Sequence, residues 1–217
     1  MFSGWFPESL SPVAREIDDL FWLATAWTGV TGLLVVAILL FFVIHYRRKE
    51  GRAPFYTHGN SRGAVMLTLT LAALVFVALD LNLAYHDHHV WQSMFGNPPD
   101  PATSLKVEIM PEQFAWNIRY AGPDNEFATA DDILTMNELH IPVGKPVIVQ
   151  LSSKDVIHSF FLPNLRIKQD AVPGMITSIY FAAEKEGQYN IACAEHCGMG
   201  HYRMRGDLVV ESQETFE

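Results

Sequence analysis

Cysteine is almost absent from this chain of 217 residues: only Cys193 and Cys197 occur. There is no C-x-x-C-H motif, which excludes a haem attached through that motif. Positive charge is also scarce. Fifteen Lys plus Arg face 24 Asp plus Glu, a net charge of −9, so no nucleic-acid partner is expected. No internal repeat is visible. The N-terminal tail is acidic and lacks the basic stretch of a secretory signal peptide. Charge is missing altogether from residues 20–44.

That uncharged run is long enough to cross a bilayer, which takes about 20 residues. Residues 64–85 form a second run, broken only near its end by Asp80 and Asn82. Between them lie Arg47, Arg48, Lys49, Arg52 and Arg62 against the single acid Glu50. The tail carries Glu8, Glu16, Asp18 and Asp19 against Arg15 alone. The positive-inside rule then puts the loop in the cytoplasm and both termini outside. The expected layout is an outer tail over 1–19, a two-helix transmembrane hairpin over 20–91 and an outer domain over 92–217. The helices are expected at about 20–46 and 63–86, in an inner membrane, with the domain in the periplasm. Asp80 is expected among the headgroups. Trp22, Trp27 and Trp91 are candidate interfacial anchors.

Beyond residue 104 the pattern changes to short alternating segments. Residues 106–110, 113–120, 146–151, 156–162, 175–182, 188–192 and 206–210 read as strands separated by turn signals. Such spacing predicts an all-β sandwich or Greek-key barrel. Residues 92–217 hold 17 Asp plus Glu and 9 Lys plus Arg. An acidic surface of this kind steers a basic partner. Asp124, Glu126, Asp131, Asp132 and Asp155 are the candidates.

Sulfur and imidazole concentrate in one place. Cys193, Cys197, His201 and Met204 follow C-x3-C-x3-H-x2-M spacing, and His158 lies upstream in an apolar run. Thiolate, thioether and imidazole together suit copper, and a methionine ligand argues against zinc. The set is large enough for two copper ions bridged by two thiolates. A disulfide, a tetrahedral zinc site and a mononuclear blue-copper site use parts of the same residues.

Cys193-x-Glu195-x-Cys197-Gly-x-x-His201-x-x-Met204, with Asp155-Val-Ile-His158-Ser-Phe and Lys168-Gln-Asp170-Ala-Val-Pro173-Gly174, resembles subunit II of the haem-copper cytochrome c oxidases. The resemblance covers nearly the whole chain. It implies a membrane-anchored α+β protein: the hairpin, then a cupredoxin-like Greek-key barrel. It implies an electron-entry subunit of a proton-pumping oxidase, taking electrons from cytochrome c or another small donor. In the family's pattern Cys193 and Cys197 bridge a dinuclear copper centre, and His158 and His201 each bind one copper. Met204 and the Glu195 carbonyl are weak axial ligands. The Glu195 side chain would reach a magnesium or manganese ion at the catalytic subunit. Implied partners are subunits I and III, the bilayer and a respiratory supercomplex, with the haems held in the partner subunit. A membrane-anchored copper carrier or assembly protein is the alternative.

Two departures stand out. Phe114 occupies the usual tryptophan electron-entry position, while Trp116 keeps the second aromatic place. The start of the second helix, His58-Gly-Asn-Ser-Arg62-Gly-Ala-Val-Met, lacks the family's proton-uptake glutamate. The cluster over His86, His88 and His89 has no counterpart in the family's pattern.

Overall fold

The computed structural model describes residues 4–53, 56 and 58–217. The chain divides into two compact units, one of residues 18–89 and one of residues 1–17 with 90–217.

The first unit is built from helices that present apolar side chains outward. Helix α1 runs over Pro12–His45. Helix α2, Arg62–Val75, starts at Ser61, whose hydroxyl accepts the Ala64 N–H at 3.3 Å. A π-helical turn, Phe76–Asp80, leads into α3, Leu81–Trp91. Helical structure thus continues over Arg62–Gly96. Leu33, Leu39, Phe42, Leu67, Leu71 and Phe76 are all more than half or nearly half exposed. Two long helices with bare apolar surfaces fit a two-span inner-membrane protein.

The second unit is a sandwich of two five-stranded sheets. The strands are β1 (Leu105–Glu112), β2 (Ala115–Tyr120), β3 (Ile133–Met136), β4 (Glu138–Pro142) and β5 (Val147–Leu151). They continue as β6 (His158–Leu162), β7 (Ile167–Ala171), β8 (Thr177–Phe181), β9 (Gly187–Cys193) and β10 (Arg205–Glu211). A short helix, α4 (Gln213–Phe216), follows. The orders are β3-β2-β1-β5-β8 and β4-β10-β9-β6-β7. Pairs β1/β5 and β4/β10 are parallel and the rest antiparallel. Alternate side chains turn inward, as a strand's two-residue period requires. Val107, Ile109, Trp116, Ile118, Leu139, Ile141, Phe160, Ile191 and Leu208 form the core.

The sandwich matches the expected all-β fold, with three strands that the sequence pattern hid. Strand β3 is a short edge strand with exposed Ile133, Leu134 and Met136, so its apolar residues carry no alternation. Strand β4 follows after one residue, Asn137, whose φ of 62° turns the chain from one sheet to the other. Strand β7 contains Lys168 and Asp170 and buries only its ends. Two expected strands also start late. Val156, Ile157, Met175 and Ile176 are exposed loop residues rather than strand residues.

The N-terminal tail belongs to this sandwich. Leu10 is 1% exposed, its N–H donates to the Asn164 carbonyl at 3.0 Å, and its carbonyl accepts from Glu184 N–H at 2.9 Å. Glu8 pairs with Lys185 and Arg15 with Glu184. The tail and the sandwich therefore occupy the same side of any membrane the helices cross. Leu10→Ala removes a fully buried side chain and should lower the stability of the β unit by about 2–5 kcal/mol. The denaturant midpoint of the outer unit measures this; an unshifted midpoint would place the tail outside the fold.

Candidate metal centre

Two strand ends and two loops bring the sulfur and imidazole donors together. Cys193 is the last residue of β9, and the chain re-enters the sheet at Arg205 in β10. The loop is closed at its base, where Cys193 N–H donates to the Met204 carbonyl at 3.3 Å and Ala192 pairs with Arg205. A short 3-10 turn, His201–Arg203, carries His201. His158 begins β6, beside β9, and is fully buried.

The donors converge closely. The Cys193 and Cys197 sulfurs are 3.8 Å apart. A disulfide needs about 2.05 Å, and both cysteines are free. His158 Nδ1 lies 4.0 Å from Cys193 Sγ and 3.2 Å from Met204 Sδ. Cys197 Sγ lies 3.6 Å from His201 Nδ1 and 3.7 Å from Met204 Sδ. The Glu195 carbonyl is 3.2 Å from Cys193 Sγ. These are the six positions expected from the sequence, and all six meet in one place.

The arrangement is lopsided in an informative way. His158, Cys193 and Cys197 have donor atoms within 4.8 Å of one another, whereas His201 falls outside that mutual cluster and meets it through Cys197. Donors around a single tetrahedral ion with bonds of about 2.0–2.3 Å must all lie within roughly 4 Å of each other. One zinc ion gathering all four of these residues fits poorly. Two thiols, each with its own imidazole, fit two metal ions better. The thioether wedged among them suits copper.

Three further groups hold the site, and sequence reasoning assigned this role to none of them. Asp155 accepts from His158 Nε2 at 2.9 Å, from Gln113 N–H at 2.7 Å and from Val156 N–H at 2.6 Å. Its burial opposes ionisation. The hydrogen bonds, led by that from His158, outweigh this and hold the carboxyl below its ordinary range. With Nε2 tied to Asp155, Nδ1 is the nitrogen left to face the sulfurs. A carboxylate behind a metal-binding imidazole fixes its orientation and raises its basicity. Asp155 was expected on a docking surface; here both oxygens are spent on bracing.

Gln113 is the second such group. Gln113 and Phe114 are the two tip residues between paired Glu112 and Ala115 of the β1–β2 hairpin. Gln113 Nε2 donates to the Cys197 carbonyl at 2.6 Å. A polar residue at a hairpin tip carries no sequence signal of such a role. The third group is the pair Gly198 and Gly200. A Cβ at Gly198 would approach Gln113 Nε2 to 2.6 Å, and one at Gly200 would land on the Phe114 ring. Only bare backbone lets the hairpin tip press on the ligand loop.

Phe114 is half-buried against that loop, while Trp116 is fully buried behind the site, its ring 6.3 Å from that of His158. The Trp116 indole N–H has no acceptor among the described residues. Glu195 and His196 are exposed, and the His196 ring stacks on His201 at 5.6 Å. Burial, and then the Cys193 thiol beside it, push the Cys197 thiol up to about 11. A thiolate-binding metal therefore displaces protons as it enters.

The remaining acids lie elsewhere. Asp124, Glu126, Asp131 and Asp132 occupy the loop between β2 and β3, after Tyr120, whereas Phe114 precedes β2. The six-residue strand separates them by about 20 Å. Asp131 accepts from Thr129 and from Asp124 N–H, and Asp132 from Ala128 N–H with Arg119 3.5 Å away. The structure does not bring this group to the metal centre.

Comparison with known proteins gives consistent matches. Residues 106–213 match the family model for cytochrome c oxidase subunit II, periplasmic domain. The alternative cytochrome c oxidase subunit 2 of Bradyrhizobium diazoefficiens is 32% identical over 100% of this chain and 83% of its own length. Cytochrome c oxidase subunit 2 of Thermostichus vulcanus is 33% identical over 90% of this chain and 58% of its own. Among solved structures, the periplasmic domain of subunit II of cytochrome oxidase from Bradyrhizobium japonicum is 29% identical, with a TM-score of 0.47, over 52% of this chain and 88% of that one.

The bracing role of Asp155 has a direct consequence. Asp155→Asn should weaken retention of copper(I) by about 10–100-fold, the usual loss when an imidazole's supporting carboxylate is removed. Competition with a chromophoric copper(I) chelator measures it; equal retention would mean that His158 needs no brace.

Proposed function

Because this chain belongs to the cytochrome c oxidase subunit II family and so to a haem-copper oxidase complex, we propose that it is the complex's electron-entry subunit. It takes electrons from a c-type cytochrome or another small donor and hands them to a haem of subunit I, where oxygen is reduced to water. One observation carries this reading: five soft or imidazole donors meet at 3.2–4.0 Å, with each thiol next to its own imidazole.

Cys193, Cys197, His158 and His201 would together hold two coppers. Met204 and the Glu195 carbonyl complete the set. When bound, such a copper pair supplies a one-electron carrier whose charge is shared over two nuclei. The residues around it keep the ligands still. Asp155 fixes the His158 ring, Gln113 fixes the Cys197 carbonyl, and the closed loop base fixes Cys193 against Met204. Ligands that cannot rearrange keep the reorganisation barrier small. The exposed Glu195 carboxylate is free to meet a magnesium or manganese ion at subunit I, a hard ligand for a hard ion.

Phe114 is the proposed entry residue, since it bears on the ligand loop and reaches the surface. Met199, 95% exposed, and Tyr202, 84% exposed, extend the same loop's apolar surface. Donor docking belongs here. The acidic loop lies about 20 Å along β2 from Phe114, so it would meet the rim of a docked donor rather than its centre. Proton translocation, subunit III and any supercomplex belong to the assembly. The second helix begins at Ser61 and Arg62 with no carboxylate to feed a proton channel.

Oxygen uptake by the assembled oxidase with reduced cytochrome c tests the proposal. Cys197→Ser should abolish turnover while subunit I still assembles. Phe114→Ala should slow donor oxidation without loss of copper. Undiminished turnover in Cys197→Ser would overturn the reading.

A further inference from the structure

Asp80 is the only Asp, Glu, Lys or Arg within residues 20–44 and 64–85, the apolar stretches of the two long helices. The sequence suggests that it sits among lipid headgroups. In the structure it lies inside the continuous helical span Arg62–Gly96. Helical structure runs on from Asp80 without interruption through α3. About 9 Å of helix separates Asp80 from His86, where the polar run His86–His89 begins. Its neighbours Val77, Leu81 and Phe76 are exposed and apolar. Aspartate has a single methylene and cannot reach far along a helix toward water, as Lys and Arg do.

The backbone is altered at the same point. Asp80 closes the π-helical turn Phe76–Asp80, where Leu81 N–H reaches back to the Phe76 carbonyl. A π-turn inserts one residue and re-aims the side chains that follow it, and such turns often mark functional positions. Asp80 is exposed and has no hydrogen bond or ion pair among the described residues. One turn further, Ala84 leaves room for another backbone to come close. Carboxylates within membrane helices almost always face a bundle interior or a water-filled cavity and pair there.

We propose that Asp80 accepts a hydrogen bond from a donor side chain on a membrane helix of the catalytic subunit, and that this contact helps hold the second helix in the complex. The inference rests on the reading of this chain as a subunit placed beside that one. Lipid on this face would instead leave the carboxylate unpaired in hydrocarbon.

The test uses the assembled oxidase in native membranes and a hydrophobic carbodiimide, which attacks carboxyl groups in apolar surroundings. Asp80 should escape labelling in the intact complex and become labelled once detergent strips the catalytic subunit away. Equal labelling in both states would overturn the proposal and put Asp80 against lipid. In parallel, Asp80→Leu should lower the yield of catalytic subunit co-purifying with this chain by about threefold to tenfold, the factor an interhelical hydrogen bond contributes. Asp80→Asn, which keeps the polar contact, should recover most of it. Wild-type yield from Asp80→Leu would also overturn the proposal. Copper per chain, measured on the same samples, should stay unchanged. A chain that never loads copper would sink the electron-entry reading and leave the Asp80 contact to be judged by labelling.

Discussion

The loop from Cys193 to Met204 is closed at its base by one backbone hydrogen bond between those two residues, at 3.3 Å. Everything at the metal centre depends on that closure. Both ends of the loop are strand ends in the same sheet, so neither can drift without breaking the β9–β10 ladder. The ladder in turn is anchored on β6 through Phe160 and Cys193, which delivers His158 to the same spot. The outcome is a set of ligands whose separation is governed by sheet geometry rather than by side-chain freedom. Such a set binds metal with little ordering cost, and a redox centre held this way has little room to move.

A second layer of constraint comes from the opposite sheet. The β1–β2 hairpin tip reaches over the loop, with Gln113 on the Cys197 carbonyl and Phe114 against Gly200. Asp155 ties the same tip to His158 through Gln113 N–H. One carboxylate therefore links the brace of a buried imidazole to Gln113, the residue next to Phe114. Two hydrogen bonds thus connect the hairpin tip to the donor cluster.

Legibility in the sequence followed the physics of each part. The long helices were plain because burial in lipid demands uninterrupted apolar runs. The donor cluster was plain because Cys193, Cys197, His201 and Met204 come from one short loop with fixed spacing. His158 stood out as a histidine in an apolar run and through the segment Asp155-Val-Ile-His158-Ser-Phe. Strand β3 was hidden because an exposed edge strand has no buried face to enforce alternation. Strand β7 was hidden behind Lys168 and Asp170. The role of Gln113 depends on a contact 84 residues away in sequence, which no local pattern encodes. The acidic loop shows the opposite case: charge is visible in a sequence, but its distance from the donor cluster is not. Asp124 and Asp132 sit at the far end of β2 from Phe114.

The central claim is that two thiols, each with its own imidazole, hold a pair of coppers that shares one electron. Electron paramagnetic resonance of the copper-loaded full-length chain in detergent, read together with copper per chain, tests it most directly. Two coppers and a seven-line hyperfine pattern are the predicted result, because one unpaired electron then couples equally to two copper nuclei. A single copper with a four-line pattern would contradict the account and return the site to a mononuclear or carrier chemistry.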